Sequence, residues 1–157
     1  MSTTTIVVPA GYEYVGAAIL STTWLLFYQV SRVGKLRKRA GIEYPQAYAE
    51  KAEAEASPDA MKFNCAQRAH QNTLESLPII ITTSLIAGLK APILTAVACA
   101  FWTIGRVSYT RGYITGDPKK RGSVLYRLSY IGLAGLLLTS AYTAGEWIFC
   151  GISKAIH

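Results

Sequence analysis

Charged residues are scarce in this sequence, and acidic ones are fewer than basic ones. Only 16% of the 157 residues are charged, with 9 acidic against 16 basic side chains, whereas 51% are hydrophobic. This composition excludes a disordered chain, which needs polarity and charge. The three cysteines, Cys65, Cys99 and Cys150, are too few and too widely spaced for a disulfide framework or a metal site. A chain of this length normally forms one domain, here residues 1–157.

Long apolar runs are what the sequence has instead. Tyr14–Ser31 is uncharged and long enough to cross a bilayer as a helix. Leu77–Leu89 becomes long enough if its helix begins near Asn64, and Ala91–Gly105 follows it after a tight turn. A last run, Leu128–Cys150, is interrupted only by a glutamate near its end. We therefore predict an all-α integral membrane four-helix bundle, with spans at about residues 14–33, 64–90, 91–115 and 124–150.

The basic residues are confined to one side of these predicted spans. All of them except Lys90 and Lys154 lie in two segments, residues 32–68 and 106–127. The positive-inside rule places both segments in the cytoplasm. The net charge of +7 is thereby explained by topology and by attraction to anionic headgroups. A nucleic-acid partner is disfavoured, because the chain has no compact basic domain to dock on a groove.

Two helix faces near the cytoplasmic boundary carry polar side chains at membrane depth. With 100° per residue, three polar residues of the second predicted span share about 60° of arc. They are Arg68, Asn72 and Glu75. A matching set on the third span comprises Arg106, Tyr109 and Tyr113. Because the two spans are antiparallel, the two sets lie at the same depth. Ionisable groups there usually line a cavity or a pathway.

These residue types suit a small zwitterionic peptide with a net negative charge. Arg68, Arg37 and Lys38 can bind carboxylates through charge-assisted hydrogen bonds. Glu75 can bind an ammonium group, Asn72 a peptide group, and the tyrosines offer hydroxyl donors beside apolar rings. A lipophilic second substrate would enter from the bilayer. The structural alternative is an internally satisfied Arg68–Glu75 pair, with the tyrosines as interfacial belt residues.

Three stretches of the sequence carry a family resemblance. They are GKLRKRAGIEYP at 34–45, FNCAQRAHQNTLESLP at 63–78 and RVSYTRGYITGDPKKR at 106–121. The chain resembles the MAPEG family, membrane-associated proteins in eicosanoid and glutathione metabolism, over nearly its whole length. Within the family it looks most like the microsomal glutathione S-transferase 3 branch, of the fungal kind. The resemblance implies a homotrimer that binds glutathione between neighbouring subunits, near the cytoplasmic side.

The resemblance also implies which residues bind glutathione. The positions that match those of the leukotriene C synthase branch are Arg68, Asn72, Glu75, Tyr109 and Tyr113. Arg37 matches a basic residue that the adjacent subunit contributes. His70 stands where that branch has a glutamine that reaches the neighbour's glutathione, the alternative being a histidine that packs between helices. Ser76 departs from the pattern, because that branch has a tyrosine there.

The catalytic candidate is an arginine that follows the third helix and stabilises the glutathione thiolate in relatives. The loop here is one residue longer than in the leukotriene branch. Ungapped counting from Tyr113 selects Lys120, whereas allowing for the insertion selects Arg121. We favour Arg121, because a guanidinium stays charged and can both donate to sulfur and lie against a ring. Lys120 is then a glutathione-binding residue and Lys38 a second catalytic candidate. The alternative is that the basic run only sets topology.

The predicted activity needs glutathione as co-substrate, no metal and no protein nucleophile. An arginine beside the glutathione thiol would favour the thiolate, which attacks a lipophilic electrophile or a lipid hydroperoxide. We therefore expect a glutathione transferase with peroxidase activity in the endoplasmic reticulum membrane, including leukotriene C synthase-like activity. The first alternative is a non-catalytic lipid-binding or scaffold protein of the same family. A channel is disfavoured, because Leu77–Leu89 and Ala91–Gly105 contain no ionisable residue.

Overall fold

The computed structural model describes residues 8–156. All the regular secondary structure within this range is helical. The all-α prediction is confirmed over this range. Five α-helices follow one another: α1 Tyr12–Ala40, α2 Lys51–Ala56, α3 Pro58–Gly88, α4 Pro92–Tyr113 and α5 Val124–Ile156. A 3₁₀ turn, Pro118–Arg121, lies between α4 and α5.

The helix ends follow local signals in the sequence. Ser57 caps α3, its hydroxyl accepting a hydrogen bond from the amide of Ala60 at 3.4 Å, and a proline occupies the first turn. The helix therefore begins before the predicted span does, and it continues through Pro78. At the end of α1, Gly41 has a φ of 67°, a left-handed conformation that glycine adopts readily.

The four long helices pack against one another around a common apolar core. The first long helix contacts α3 and α4, while α5 contacts α4 and α3. The core includes Val15, Leu25, Ile80, Trp102 and Leu136, each at most 3% exposed. The short turn between α3 and α4 makes these two helices an antiparallel hairpin. The middle of α3 therefore lies beside the C-terminal part of α4.

Two of the four long helices are apolar and long enough to cross a membrane on length and composition: Pro92–Tyr113 and Val124–Ala155. The last helix buries little of its surface, since 17% of its most apolar window is buried inside the chain. Large apolar side chains cover its outer faces, for example Leu138 at 73% and Phe149 at 74% exposed. Apolar surface of this extent indicates a membrane protein. Crossing by α1 and α3 stays a prediction.

Small residues allow α4 and α5 to approach closely. A Cβ atom on Gly105 would lie 2.4 Å from Ser129 Oγ, and one on Gly132 would lie 3.1 Å from the Ala98 carbonyl oxygen. A larger side chain at position 105 would displace the neighbouring helix, whereas one at position 132 would require the Ala98 backbone to move by a few tenths of an ångström. Close helix contacts through small residues are typical of membrane proteins.

At the opposite end of the molecule from the two polar faces, an ion pair joins the hairpin turn to α5. Lys90 Nζ lies 2.7 Å from Glu146 Oε2, and the Tyr142 hydroxyl donates to Glu146 Oε1 at 3.0 Å. This pair gives a partner to the glutamate that interrupts the last apolar run.

Candidate functional site

The polar face of α3 is organised around one carboxylate. Arg68 Nη1 donates to Glu75 Oε1 at 2.9 Å, and Asn72 Nδ2 donates to Glu75 Oε2 at 3.3 Å. The side chains of the ion pair are 46% and 55% exposed. The structure thus brings the three predicted residues of this face together at the protein surface, where a ligand can reach them.

A buried arginine connects this face to α4. Arg106 is 2% exposed and donates to Asn72 Oδ1 at 2.8 Å, to the Asn72 carbonyl at 2.9 Å and to Ser76 Oγ at 2.6 Å. Its Cζ atom also lies 5.2 Å from the ring centroid of Tyr109. Among residues 8–156, no acidic side chain forms an ion pair with it. Arg106 therefore fixes Asn72 while adding an unbalanced positive charge to the site.

Aromatic rings continue the connection from Arg106 towards the 3₁₀ turn. The ring centroids of Tyr109 and Tyr113 are 5.4 Å apart in an edge-on arrangement, and both residues are buried. Arg121 Nη1 donates to the Tyr113 hydroxyl at 3.2 Å, and its Cζ lies 5.3 Å from the same ring. We call the connected set, Arg68, Asn72, Glu75, Arg106, Tyr109, Tyr113 and Arg121, the arginine–tyrosine network.

Close packing of the turn on α4 holds Arg121 in this position. Asp117 caps the turn, its Oδ1 accepting from the amide of Lys119 at 3.0 Å. A Cβ atom on Gly112 would lie 2.1 Å from the Lys120 carbonyl oxygen, so this close approach requires glycine. The Lys120 side chain is exposed and, within residues 8–156, makes no hydrogen bond or ion pair. Of the two catalytic alternatives, Arg121 is the one that joins the network.

Arg37 is engaged within its own chain. It is 7% exposed, and Nη1 donates to the carbonyls of Gln46 at 2.7 Å and Ile42 at 3.4 Å. The guanidinium also lies against two aromatic rings, with Cζ 4.4 Å from the Tyr44 centroid and 4.5 Å from that of Phe63. These contacts hold the segment after α1 against α3. The guanidinium that was predicted to bind a ligand carboxylate therefore already donates to carbonyl oxygens of its own chain. A pattern of side chains cannot predict such backbone acceptors.

The two remaining predicted residues lie outside the network. Lys38 is exposed at the end of α1. His70 is half-buried on α3, and its Nδ1 atom has no hydrogen-bond partner within the described part of the chain.

Two further residues adjoin the predicted face. Ser76 accepts from Arg106 and donates to the Asn72 carbonyl at 2.9 Å, so it completes the connection between α3 and α4. The hydroxyl of Tyr48, in the segment before α2, donates to Gln71 Oε1. Burial raises the pKa of the Tyr48 hydroxyl above its usual range, and the nearby Arg68 cation opposes the shift. The sequence indicated that Arg106 belongs to the site, because it shares a helix face with Tyr109. No pattern in the sequence indicated a contact of Tyr48 with the site.

The comparison with known families matches this chain along most of its length. The model of the MAPEG family matches residues 15–142, a stretch that includes the whole arginine–tyrosine network. The chain belongs to the MAPEG family. This family includes glutathione transferases and peroxidases, and its proteins use glutathione. As a MAPEG protein with two apolar helices, the chain fits a membrane location and a function in glutathione or eicosanoid metabolism.

Proposed function

We propose that this MAPEG protein is a membrane-bound glutathione transferase with glutathione-dependent peroxidase activity on lipophilic electrophiles and lipid hydroperoxides. The proposal includes membership of the microsomal glutathione S-transferase 3 branch, fungal origin, four membrane spans, a homotrimer and an endoplasmic reticulum location with the site facing the cytoplasm. The observation that carries it is the continuous contact from Glu75 on α3 to Arg121 beyond α4. One connected site thereby holds a carboxylate, an amide, hydroxyls and guanidinium groups.

The charges of the network suit glutathione. The network contains three cations, Arg68, Arg106 and Arg121, and one carboxylate, Glu75, so two positive charges are unbalanced within it. Glutathione carries two carboxylates and one ammonium, and its thiolate form adds another negative charge. The ligand's ammonium pairs with Glu75 while a carboxylate takes its place beside Arg68, which replaces the exposed ion pair by two intermolecular ones. Asn72, oriented by Arg106, then has an amide to offer the peptide backbone.

Arg121 is the group that we propose stabilises the thiolate. A free cysteine thiol has a pKa of about 8.5 and is mostly protonated at neutral pH, and a neighbouring guanidinium favours the ionised form. With an epoxide, the sulfur forms a bond to carbon, the C–O bond breaks and the oxygen takes up a proton. With a hydroperoxide, the sulfur attacks the terminal oxygen and the O–O bond breaks. The alkoxide leaves as an alcohol, and a second glutathione reduces the resulting sulfenic acid to glutathione disulfide and water.

Other candidates take secondary places in this proposal. Lys120 offers a second cation beside the thiolate and one contact to glutathione. His70 would reach the glutathione of a neighbouring subunit, as the family resemblance implies, and the exposed ammonium of Lys38 would assist catalysis. Arg37 would take part in that binding only by giving up some of its carbonyl acceptors, so we propose it as the weakest ligand of the set.

The test compares Arg121→Ala with the neighbouring control Lys120→Ala in detergent-purified protein. Removing a donor that stabilises a developing or bound anion lowers turnover by about 100-fold or more. We expect this loss in Arg121→Ala, together with loss of the ultraviolet thiolate absorbance on adding glutathione, whereas glutathione still binds in calorimetry. Lys120→Ala should weaken glutathione binding but keep most turnover at saturating glutathione, with both an epoxide and a lipid hydroperoxide.

Two results would overturn the assignment. Full turnover in Arg121→Ala, with loss in Lys120→Ala, would transfer the role to the lysine. A wild-type protein that neither generates the thiolate signal nor turns over either substrate would instead favour the non-catalytic lipid-binding alternative.

A further inference from the structure

A basic groove lies apart from the arginine–tyrosine network, between the last turns of α1, the first turns of α3 and the end of α4. It has a volume of about 480 Å³. The side chains that line it are Arg32, Lys35, Leu36, Arg39, Lys62 and Ile114, and none of them belongs to the network. With 100° per residue, the three cations of α1 share about 60° of arc. The groove therefore gathers four positive charges from two helices.

These charges have little compensation from the protein. Within residues 8–156, Arg32, Lys35 and Arg39 form no ion pair. Lys62 lies 3.5 Å from Asp59 Oδ1, the one acidic contact in the groove. Cations gathered around a cavity raise the local potential and favour an anionic ligand. Topology alone requires basic residues on this side of the membrane but does not require them to converge on one cavity.

We propose that this groove binds the phosphorylated headgroup of an anionic membrane lipid. The uncharged run of α1 ends at Ser31, immediately before Arg32, so the groove lies where headgroups meet the proposed cytoplasmic boundary. Basic pockets between membrane helices on that side suit such headgroups, and guanidinium groups bind phosphate oxygens in pairs.

The surroundings of the groove favour a lipid over a free phosphate. Leu36 and Ile114 give the groove an apolar wall, which a soluble anion would leave in contact with water. Tyr28 lies on the same face of α1, one turn towards the bilayer, with its ring 5.3 Å from the Arg32 Cζ atom. Trp24, a further turn along, is 68% exposed. Aromatic side chains of this kind line the membrane interface, so the face continues from the headgroup level towards the acyl chains.

The test measures binding of short-chain lipids to detergent-purified full-length protein by native mass spectrometry and thermophoresis. The probes are dioctanoyl phosphatidylinositol bisphosphate, dioctanoyl phosphatidylcholine as neutral lipid, and inositol trisphosphate as headgroup without chains. The groove variant is Arg32→Gln/Lys35→Gln. The matched control is Arg111→Gln/Lys119→Gln, which removes two exposed cations from the same side of the molecule but outside the groove.

We expect the bisphosphate lipid to bind wild type in preference to the other two probes. Removing two groove cations should weaken its binding by about 25-fold, at a factor of about five for each cation, whereas the control double variant should change it less than threefold. Equal losses in the two double variants, or equal affinities for the charged and neutral lipids, would overturn the site. Equal affinities for the lipid and inositol trisphosphate would overturn the lipid as ligand in favour of a soluble polyphosphate.

The inference rests on the proposed membrane orientation and not on the proposed catalysis, and the experiment keeps the two apart. Glutathione thiolate absorbance measured on the same samples should be unchanged in Arg32→Gln/Lys35→Gln, which also shows that the variant is folded. Loss of lipid binding with an intact thiolate signal supports the groove. Lipid binding that persists in a protein without any thiolate signal would refute the catalytic proposal alone.

Discussion

Replacing Arg106 by lysine or by methionine distinguishes the effect of its buried charge on stability from the effect of its hydrogen-bonding geometry. The guanidinium holds three oxygen atoms of α3, two on Asn72 and one on Ser76. A lysine keeps the charge, but one ammonium on a flexible stem does not reproduce the fork that spans these acceptors. A methionine has a similar length and removes both the charge and its desolvation penalty. The lysine variant therefore tests the loss of hydrogen bonds with the buried charge kept, and the methionine variant tests their loss with the charge removed.

The magnitude follows from the contacts. Hydrogen bonds between membrane helices contribute about 0.6 kcal/mol on average and about 1.7 kcal/mol at most, so the three together stabilise the fold by about 2–5 kcal/mol. Lysine would lose about two of the three while leaving a charge buried without its partners. We expect Arg106→Lys to lower the free energy of unfolding by about 2–3 kcal/mol. Arg106→Met should lower it less, because the relieved desolvation offsets part of the loss.

The assay is denaturant-induced unfolding in mixed micelles, followed by tryptophan fluorescence, because the Trp102 ring centroid lies 5.2 Å from the Arg106 Cζ atom. Glutathione affinity is measured in parallel. Both variants should weaken glutathione binding by about tenfold, as one hydrogen-bonding ligand group loses its orientation. Their turnover at saturating glutathione should stay near that of wild type. A lysine variant as stable as wild type, or more stable than the methionine variant, would refute the reasoning.

Three further predictions concern the helix contacts, the turn and the thiols. Gln29 Nε2 bridges threonines of α3 and α4 at 2.9 and 2.8 Å, so Gln29→Leu should lower unfolding free energy by about 1–2 kcal/mol; an unchanged denaturation midpoint would contradict this. Gly112→Ala should displace the 3₁₀ turn and reduce turnover at least tenfold while glutathione still binds in calorimetry, whereas Gly34→Ala, whose Cβ would meet no atom within 4 Å, should not. Of the three cysteines, the exposed Cys150 should react first with maleimide, and turnover should survive this labelling. Inactivation in proportion to Cys150 labelling would disprove that catalysis needs no cysteine of the protein.

The sequence was informative wherever a side-chain pattern carries the structure. The apolar runs predicted the four long helices, because hydrophobic stretches interrupted by glycine, proline and charge leave few other arrangements. The polar face of α3 was equally legible, since Arg68, Asn72 and Glu75 have helical spacing and the structure joins them directly.

Features that depend on backbone atoms could not be predicted from the same pattern. Arg37 was predicted to bind a ligand carboxylate, but carbonyl oxygens of the following segment accept its hydrogen bonds, and every residue type carries a carbonyl. The role of Gly112 is of the same kind, because it depends on the distance between a helix and a loop. Arg106 was placed on the correct face, yet its partner Ser76 was noted only as a departure from the leukotriene branch. The structure makes that serine an acceptor for the buried arginine.

The close contact of α4 with α5 has a consequence for how this family can vary. Position 105 is held to a small residue by Ser129 of the opposing helix, and position 132 packs tightly against the Ala98 backbone, whereas most of the surface of α5 faces away from the chain. Homologous sequences should therefore conserve size along one narrow stripe of the last helix and exchange apolar residues freely on its outer faces. Substitution at position 105 should be accompanied by a compensating change at position 129, so the two positions should covary in an alignment of related chains.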